Sequence, residues 1–254
     1  MSFLLSHLLK KRTGIPVLMY HKVETTSPDS LTVSTADFEN QLKWLKSAGY
    51  VSISLQNFLD VLYGKKNRAD MPTLSVLITF DDGYLSTLKT AAPLLAKFNF
   101  KATLFATSSY VAGPDSSNFM SSNDLLAWQA AGHDLALHSH AHPNYRQIQN
   151  SEILEDLNLN RKWFSENNIQ AIPVLAYPYG ARPKEPARNT DLKTSFKKQG
   201  LLAAFRIGNK VVTWKSIVKK EVDPFEIPRI DIRGDDTLKA FSIKVQKGRI
   251  RPFQ

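Results

Sequence analysis

The chain alternates short apolar runs of strand length with longer stretches whose apolar residues recur at helical spacing. Eight runs read as strands: Ile15–Tyr20, Val51–Ile53, Leu74–Phe80, Lys101–Ala106, His133–Leu137, Val174–Tyr177, Leu202–Phe205 and Ile227–Ile230. Most are continuous rather than alternating in polarity, the pattern of strands buried on both faces. Between them, Phe38, Leu42, Trp44 and Leu45 mark an amphipathic helix with Thr35 as its N-cap and Gly49 as its stop. Ile153, Leu154, Leu157 and Phe164 mark another, opened by Ser151. Leu55–Tyr63, Leu85–Phe98, Asn123–Ala131 and Thr190–Lys198 carry similar patterns. Strand–helix alternation sustained along a chain implies parallel strands joined by right-handed crossovers. No Gly-x-Gly-x-x-Gly follows a strand, which argues against a dinucleotide-binding sheet. The expected fold is α/β, a barrel of seven or eight parallel strands.

At 254 residues and 43% hydrophobic content, the chain has the size of one such barrel. The expected organisation is a single domain over 15–254, preceded by a short apolar and basic segment over 1–14. That segment, with Phe3, Leu4, Leu5, Leu8 and Leu9 before Lys10, Lys11 and Arg12, is too short to span a bilayer. Its charges follow the apolar run, the reverse of a secretory signal. It suits either packing on the barrel or resting on an anionic membrane surface, so the expected location is cytoplasmic or peripheral to the inner membrane. The formal charge is +10, yet residues 1–183 hold 16 Lys/Arg against 15 Asp/Glu and residues 184–254 hold 17 against 8. This carboxyl-terminal excess lacks interleaved aromatics, and no nucleic-acid motif accompanies it, so no nucleic-acid partner is expected. Oligomeric state leaves no mark in the sequence.

With no cysteine, any tightly held metal must use His, Asp or Glu. In a barrel the reactive residues lie just past the carboxyl ends of the strands. One run ends Thr79-Phe80 and continues Asp81-Asp82-Gly83, adjacent carboxylates whose burial costs several kcal/mol unless a cation compensates. Another ends at Leu137 and continues His138-Ser139-His140-Ala141-His142. His138 and His142 stand four apart, the spacing that brings two rings to one face of a helical turn. Two His with one Asp make a ligand set that leaves positions open for water and substrate, as catalytic sites require.

Thr-Phe-Asp-Asp-Gly followed by His-Ser-x-x-His resembles the first two motifs of the polysaccharide deacetylases, carbohydrate esterase family four, whose NodB-type fold is a distorted barrel related to the TIM barrel. Ala176-Tyr177-Pro178-Tyr179-Gly180 resembles the same family's Pro-Tyr-Gly segment. The resemblance implies a hydrolase that removes N-acetyl groups from an N-acetylated polysaccharide, oligosaccharide or glycolipid and releases acetate. It implies Asp81 as general base, Asp82, His138 and His142 as ligands of a divalent metal, zinc foremost with cobalt or nickel as alternatives, and Pro178, Tyr179 and Gly180 as substrate-binding, with the Tyr179 N–H at the oxyanion. The family's late acidic His is missing, since no histidine follows His142. Leu18-Met19-Tyr20-His21 resembles instead the early Tyr-His run of circularly permuted members, which implies His21 as the general acid. The Arg that braces the base in the family is also absent from its usual place; Arg206 and Arg229 are the candidates to replace it. An O-acetyl esterase, an amidase, or a carbohydrate-binding relative without activity are the competing expectations.

Overall fold

The computed structural model describes residues 14–112 and 116–249. The apolar and basic amino-terminal segment, with its expected membrane contact, lies outside them. The eight expected strands are all present: β1 (Val17–Tyr20), β2 (Val51–Ser52), β3 (Ser75–Asp82), β4 (Thr103–Ala106), β5 (Asp134–Leu137), β6 (Ile172–Ala176), β7 (Ala203–Ile207) and β8 (Ile227–Asp231). Seven close a parallel ring in the order β1, β8, β7, β6, β5, β4, β3 and back to β1. The eighth, β2, adds two residues beside the start of β3. The architecture is therefore a seven-stranded α/β barrel.

Closing the ring explains the unbroken apolar runs. Successive side chains on a strand point to opposite faces, and here both faces are covered. Along β3, Val76, Ile78 and Phe80 join an outer cluster with Leu42, Leu95 and Trp128 beneath the helices. Leu77 faces inward with Phe105, Val174, Ala203, Phe205 and Ile227. By the same two-residue period, Thr79 and then Asp81 continue the inner row toward the carboxyl end of β3. Each large side chain so buried contributes about 1.5–3 kcal/mol.

Among the described residues the helices are α1 (Thr35–Ser47), α2 (Leu55–Leu62), α3 (Ala92–Lys97), α4 (Ser108–Ala112), α5 (Ser122–Ala130), α6 (Asn150–Glu166), α7 (Pro186–Lys198), α8 (Trp214–Val218) and α9 (Leu238–Lys247). Helix α1 is capped by Ser34 rather than Thr35: the Ser34 side chain accepts from Asp37 N, while the Thr35 hydroxyl donates to the Glu24 carbonyl. Helix α6 opens after Gln149 rather than at Ser151, because Glu152 reaches back to accept from Gln149 N at 2.7 Å. The helix expected over Leu85–Phe98 is interrupted by a π-turn at Thr87–Ala91. Beneath the ring, Leu55, Phe58 and Leu59 of α2 join the inner cluster and plug the amino-terminal end. Asp134 at the start of β5 fixes that plug by accepting from Leu55 N at 2.6 Å. At the opposite, carboxyl-terminal mouth Asp81, Asp82 and His138 are buried.

Candidate metal centre and active site

Asp82, His138 and His142 converge at that mouth. The Asp82 Oδ1 lies 3.2 Å from His138 Nε2 and 3.3 Å from His142 Nε2, and the two nitrogens are 3.2 Å apart. Ligand atoms held at 2.0–2.2 Å in a tetrahedral shell are about 3.3 Å from one another, so this triangle has the size a zinc-like cation demands. The Asp82 Oδ1 is buried without a hydrogen-bond partner, an orphaned acceptor that a cation would satisfy. His138 Nδ1 sits 2.8 Å from the Ala176 carbonyl oxygen and must donate to it, which leaves Nε2 with the lone pair in the neutral ring. This group can hold a metal.

Electrostatics bear on which forms those ligands take. Burial and the neighbouring His138 push His142 down to about 4, so its ring is neutral at physiological pH. Burial works against a charge on His138, but Asp81 and Asp82 outweigh it and lift the ring above its ordinary value. A proton therefore competes with a metal at His138. Asp82 feels burial upward and the adjacent His138 downward, and ends below the usual carboxylate range.

The histidine pair does not sit on a helical turn, contrary to expectation. Residues 138–142 form an irregular loop in which Ser139 and His142 have φ of 73° and 53°. Asp156 of α6 pins this loop: its carboxylate accepts from His140 N at 3.1 Å, Ala141 N at 2.8 Å and the Tyr145 hydroxyl at 2.9 Å. The Ser139 hydroxyl accepts from His142 N at 2.9 Å. Asp82 and Tyr179 also have positive φ, 73° and 57°. Among the described residues the other non-glycine positions of this kind are Asn99, Asn168, Asn209 and Lys220, of which the asparagines tolerate it. Backbone of this kind costs about 1–3 kcal/mol at each residue and persists where the surroundings enforce it, as at functional sites.

Asp81 points into the barrel beneath this triangle. Arg229 of β8, itself fully buried, meets both of its oxygens, Nη1 at 2.5 Å and Nη2 at 2.6 Å, and also donates to the Thr79 hydroxyl at 3.3 Å. The guanidinium lies 5.3 Å from the Phe105 ring centre. Burial would raise the Asp81 carboxyl, but Arg229 and then His138 hold it down at about 2. Arg229 thus takes the bracing position left open between it and Arg206. Arg206 turns outward to Glu226 and the Ile207 carbonyl. The inward parity of Arg229, one residue before the buried Ile230, was the available sequence signal.

His21 follows β1, and the Tyr20–Phe80 pairing sets it beside Asp81. Its Nδ1 is buried without a partner. Across the mouth the Tyr179 ring stands 4.6 Å from the His142 ring. The turn Pro178–Gly180 docks on β7 so closely that a Cβ at Gly180 would lie 2.7 Å from Ile207 N. The other histidines among the described residues point away: His140 pairs with the Ser108 hydroxyl, and His133 stacks on Trp128 at the far end of β5. Asp81, Asp82, His138, His142, His21 and Tyr179 therefore share one mouth.

A family model described as polysaccharide deacetylase matches residues 68–201. The poly-beta-1,6-N-acetyl-D-glucosamine N-deacetylase of Staphylococcus aureus is 29% identical over 240 residues, covering 90% of this chain and 77% of that protein. Among solved structures, the Streptococcus pyogenes deacetylase PplD in complex with acetate superposes with a TM-score of 0.76 at 19% identity, over 93% of this chain and 100% of that one. IcaB from Ammonifex degensii gives 0.73 at 22% identity, over 92% and 97%. These two likenesses carry the fold, and the family match carries the kinship. The chain belongs to the polysaccharide deacetylase family.

Proposed function

We propose that the protein is a metal-dependent deacetylase that removes N-acetyl groups from an N-acetylated amino-sugar chain. The observation that carries this reading is the placing of an Arg-braced carboxylate, Asp81, directly beside the Asp82, His138 and His142 ligand triangle. Asp82, His138 and His142 would hold the cation, with zinc the best match to two imidazoles and a carboxylate and cobalt or nickel sharing that donor preference. When bound, such an ion supplies Lewis acidity, polarising a carbonyl and acidifying water.

The chain's own residues supply the rest. Asp81 is kept ionised by Arg229, and a carboxylate retains acceptor capacity beyond the two bonds Arg229 makes. It takes a proton from the water whose oxygen bonds to the acetamido carbon. The Tyr179 N–H, on its docked turn, donates to the oxygen that gains charge. As the carbon–nitrogen bond breaks, His21 delivers a proton to the departing nitrogen, leaving acetate and a free amino sugar. The Staphylococcus relative's printed activity on poly-beta-1,6-N-acetyl-D-glucosamine supports an amino-sugar polymer as substrate.

The test is acetate release from matched N-acetylated and O-acetylated glucosamine oligosaccharides. The reading expects turnover of the N-acetyl substrate by a wide margin. Preference for the O-acetyl substrate would replace it with an esterase, and activity on neither would leave a binding protein. Among the described residues no helix is long and apolar enough to cross a membrane.

A further inference from the structure

The turn that carries Tyr179 is held in a conformation it would not keep by itself. Tyr179 has φ of 57°, and a left-handed residue of this kind persists where its surroundings enforce it. The residue is 63% exposed, so its own ring supplies little of that constraint. Within the turn, Gly180 N donates to the Tyr177 carbonyl at 2.8 Å and Ala181 N to the Pro178 carbonyl at 2.9 Å. Those bonds shape the turn but do not fix its place on the barrel. On one side β7 does so, the Phe205 carbonyl accepting from Tyr177 N at 2.9 Å.

Beyond β7, both flanks of the turn reach one dipeptide, Phe225-Glu226, just ahead of β8. On the near flank the buried Tyr177 hydroxyl donates to the Phe225 carbonyl at 3.1 Å. On the far flank Arg182 Nη2 donates to Glu226 Oε2 at 2.6 Å. The dipeptide is itself tied down. The Asp223 carboxylate accepts from Phe225 N at 2.9 Å, its carbonyl from Glu226 N at 3.0 Å, and the Pro224 carbonyl from Ala204 N at 2.8 Å. Glu226 also accepts from Asn189 Nδ2 at 2.8 Å and Lys193 Nζ at 2.6 Å, both on α7, and Arg206 Nε of β7 lies 3.4 Å away. A single exposed ion pair contributes little. Here the Glu226 side chain is 16% exposed and joins the turn, α7 and β7 in one network. Burial pushes its carboxyl up, but the bonds from Arg182, Lys193 and Asn189 outweigh this and hold it at about 2, so it is ionised at neutral pH.

We infer that Glu226 is a positioning residue for hydrolysis. Through Arg182, and together with the Phe225 carbonyl on Tyr177, it holds the Pro178–Gly180 turn where the Tyr179 N–H meets the oxygen that gains charge, a role that rests on the proposed function. A donor fixed in advance acts because nothing has to reorganise as the charge develops. Slack in this turn is therefore felt in kcat, and not in the binding of substrate or metal.

Hydrogen–deuterium exchange over residues 177–182 of the zinc-loaded protein reads the clamp without turnover. Glu226→Ala and Arg182→Ala are each expected to speed exchange at Gly180 N and Ala181 N at least about tenfold. On an N-acetylglucosamine oligosaccharide, each is expected to lower kcat about 10–100-fold while KM and zinc affinity hold. The double variant is expected to be no slower than Glu226→Ala alone, because the same tie is lost in both. Lys193→Ala removes an equally short Glu226 contact on α7 and is expected to keep the native kcat and exchange. Arg182→Ala, at a side chain 25% exposed, keeps the test decisive where Glu226→Ala fails to fold. Unchanged exchange in the single variants, faster exchange with native kcat, additive losses, or an equal loss in Lys193→Ala would overturn the assignment. A native protein that releases no acetate would remove the proposed reaction, while the exchange comparison would still decide whether Glu226 holds the turn.

Discussion

Arg229 and Asp81 are both buried and meet through two short hydrogen bonds, so removing either partner strands a charge in the barrel. Arg229→Ala is expected to cost about 3–5 kcal/mol in denaturant unfolding, while Asp81→Asn combined with Arg229→Met is expected to be more stable than either single change. Simple addition of the two losses would contradict a coupled pair. Asp81→Asn is expected to abolish turnover with metal retained. His21→Ala should lower turnover about 10²–10⁴-fold, also with metal retained, and near-normal rates would assign the proton donor elsewhere. The ligands predict a pH dependence of metal uptake. His138 is lifted above its ordinary value of 6.5, and a protonated ring has no lone pair to offer. Affinity is therefore full above that raised value and falls as pH drops through it, which a competition titration against a chelator from pH 8 to 5 reads directly. A flat profile would contradict the protonation assigned to His138.

At the scale of elements, the decisive piece is the loop between β5 and α6. Spacing alone suggested a helical turn for His138 and His142, yet the loop reaches the same convergence with two left-handed residues and an anchor 14 positions beyond His142, Asp156. Asp156→Ala frees His140 N and Ala141 N and is expected to weaken metal binding about 10–100-fold while leaving the three ligands in place. Unchanged affinity would show that the loop holds its shape unaided. The strands were legible because burial on both faces leaves an unbroken apolar signature, as in Val76–Phe80. The adjacent carboxylates Asp81 and Asp82 and the His pair were legible because polar residues directly after such runs have little structural reason to be there. Helix starts were less so, since Ser34 and Thr35 are both good caps and only the direction of the Thr35 hydroxyl decides between them. Arg229 was legible as one of two candidates beside Arg206, and only its strand parity separated them; Asp156 was hidden, because its partners lie on an irregular loop whose shape no local pattern announces.

For the whole molecule, closure is what assembles the site. β1 joins β3 to β8, so His21, Asp81 and Arg229 come from neighbouring staves although they span most of the chain. Because the first strand is the last closure, we expect residues 15–254 to behave as one domain. Calorimetry should give a single two-state transition, and two separable transitions would contradict that organisation. The central claim is that a cation held by Asp82, His138 and His142 is required for hydrolysis of an acetamido sugar. The most direct test strips the protein with a chelator and titrates zinc back while acetate release from an N-acetylglucosamine oligosaccharide is followed. The account predicts no turnover in the stripped protein, recovery that saturates near one equivalent, and no recovery at that equivalence in Asp82→Ala. Full turnover after stripping, or equal recovery in Asp82→Ala, would contradict it.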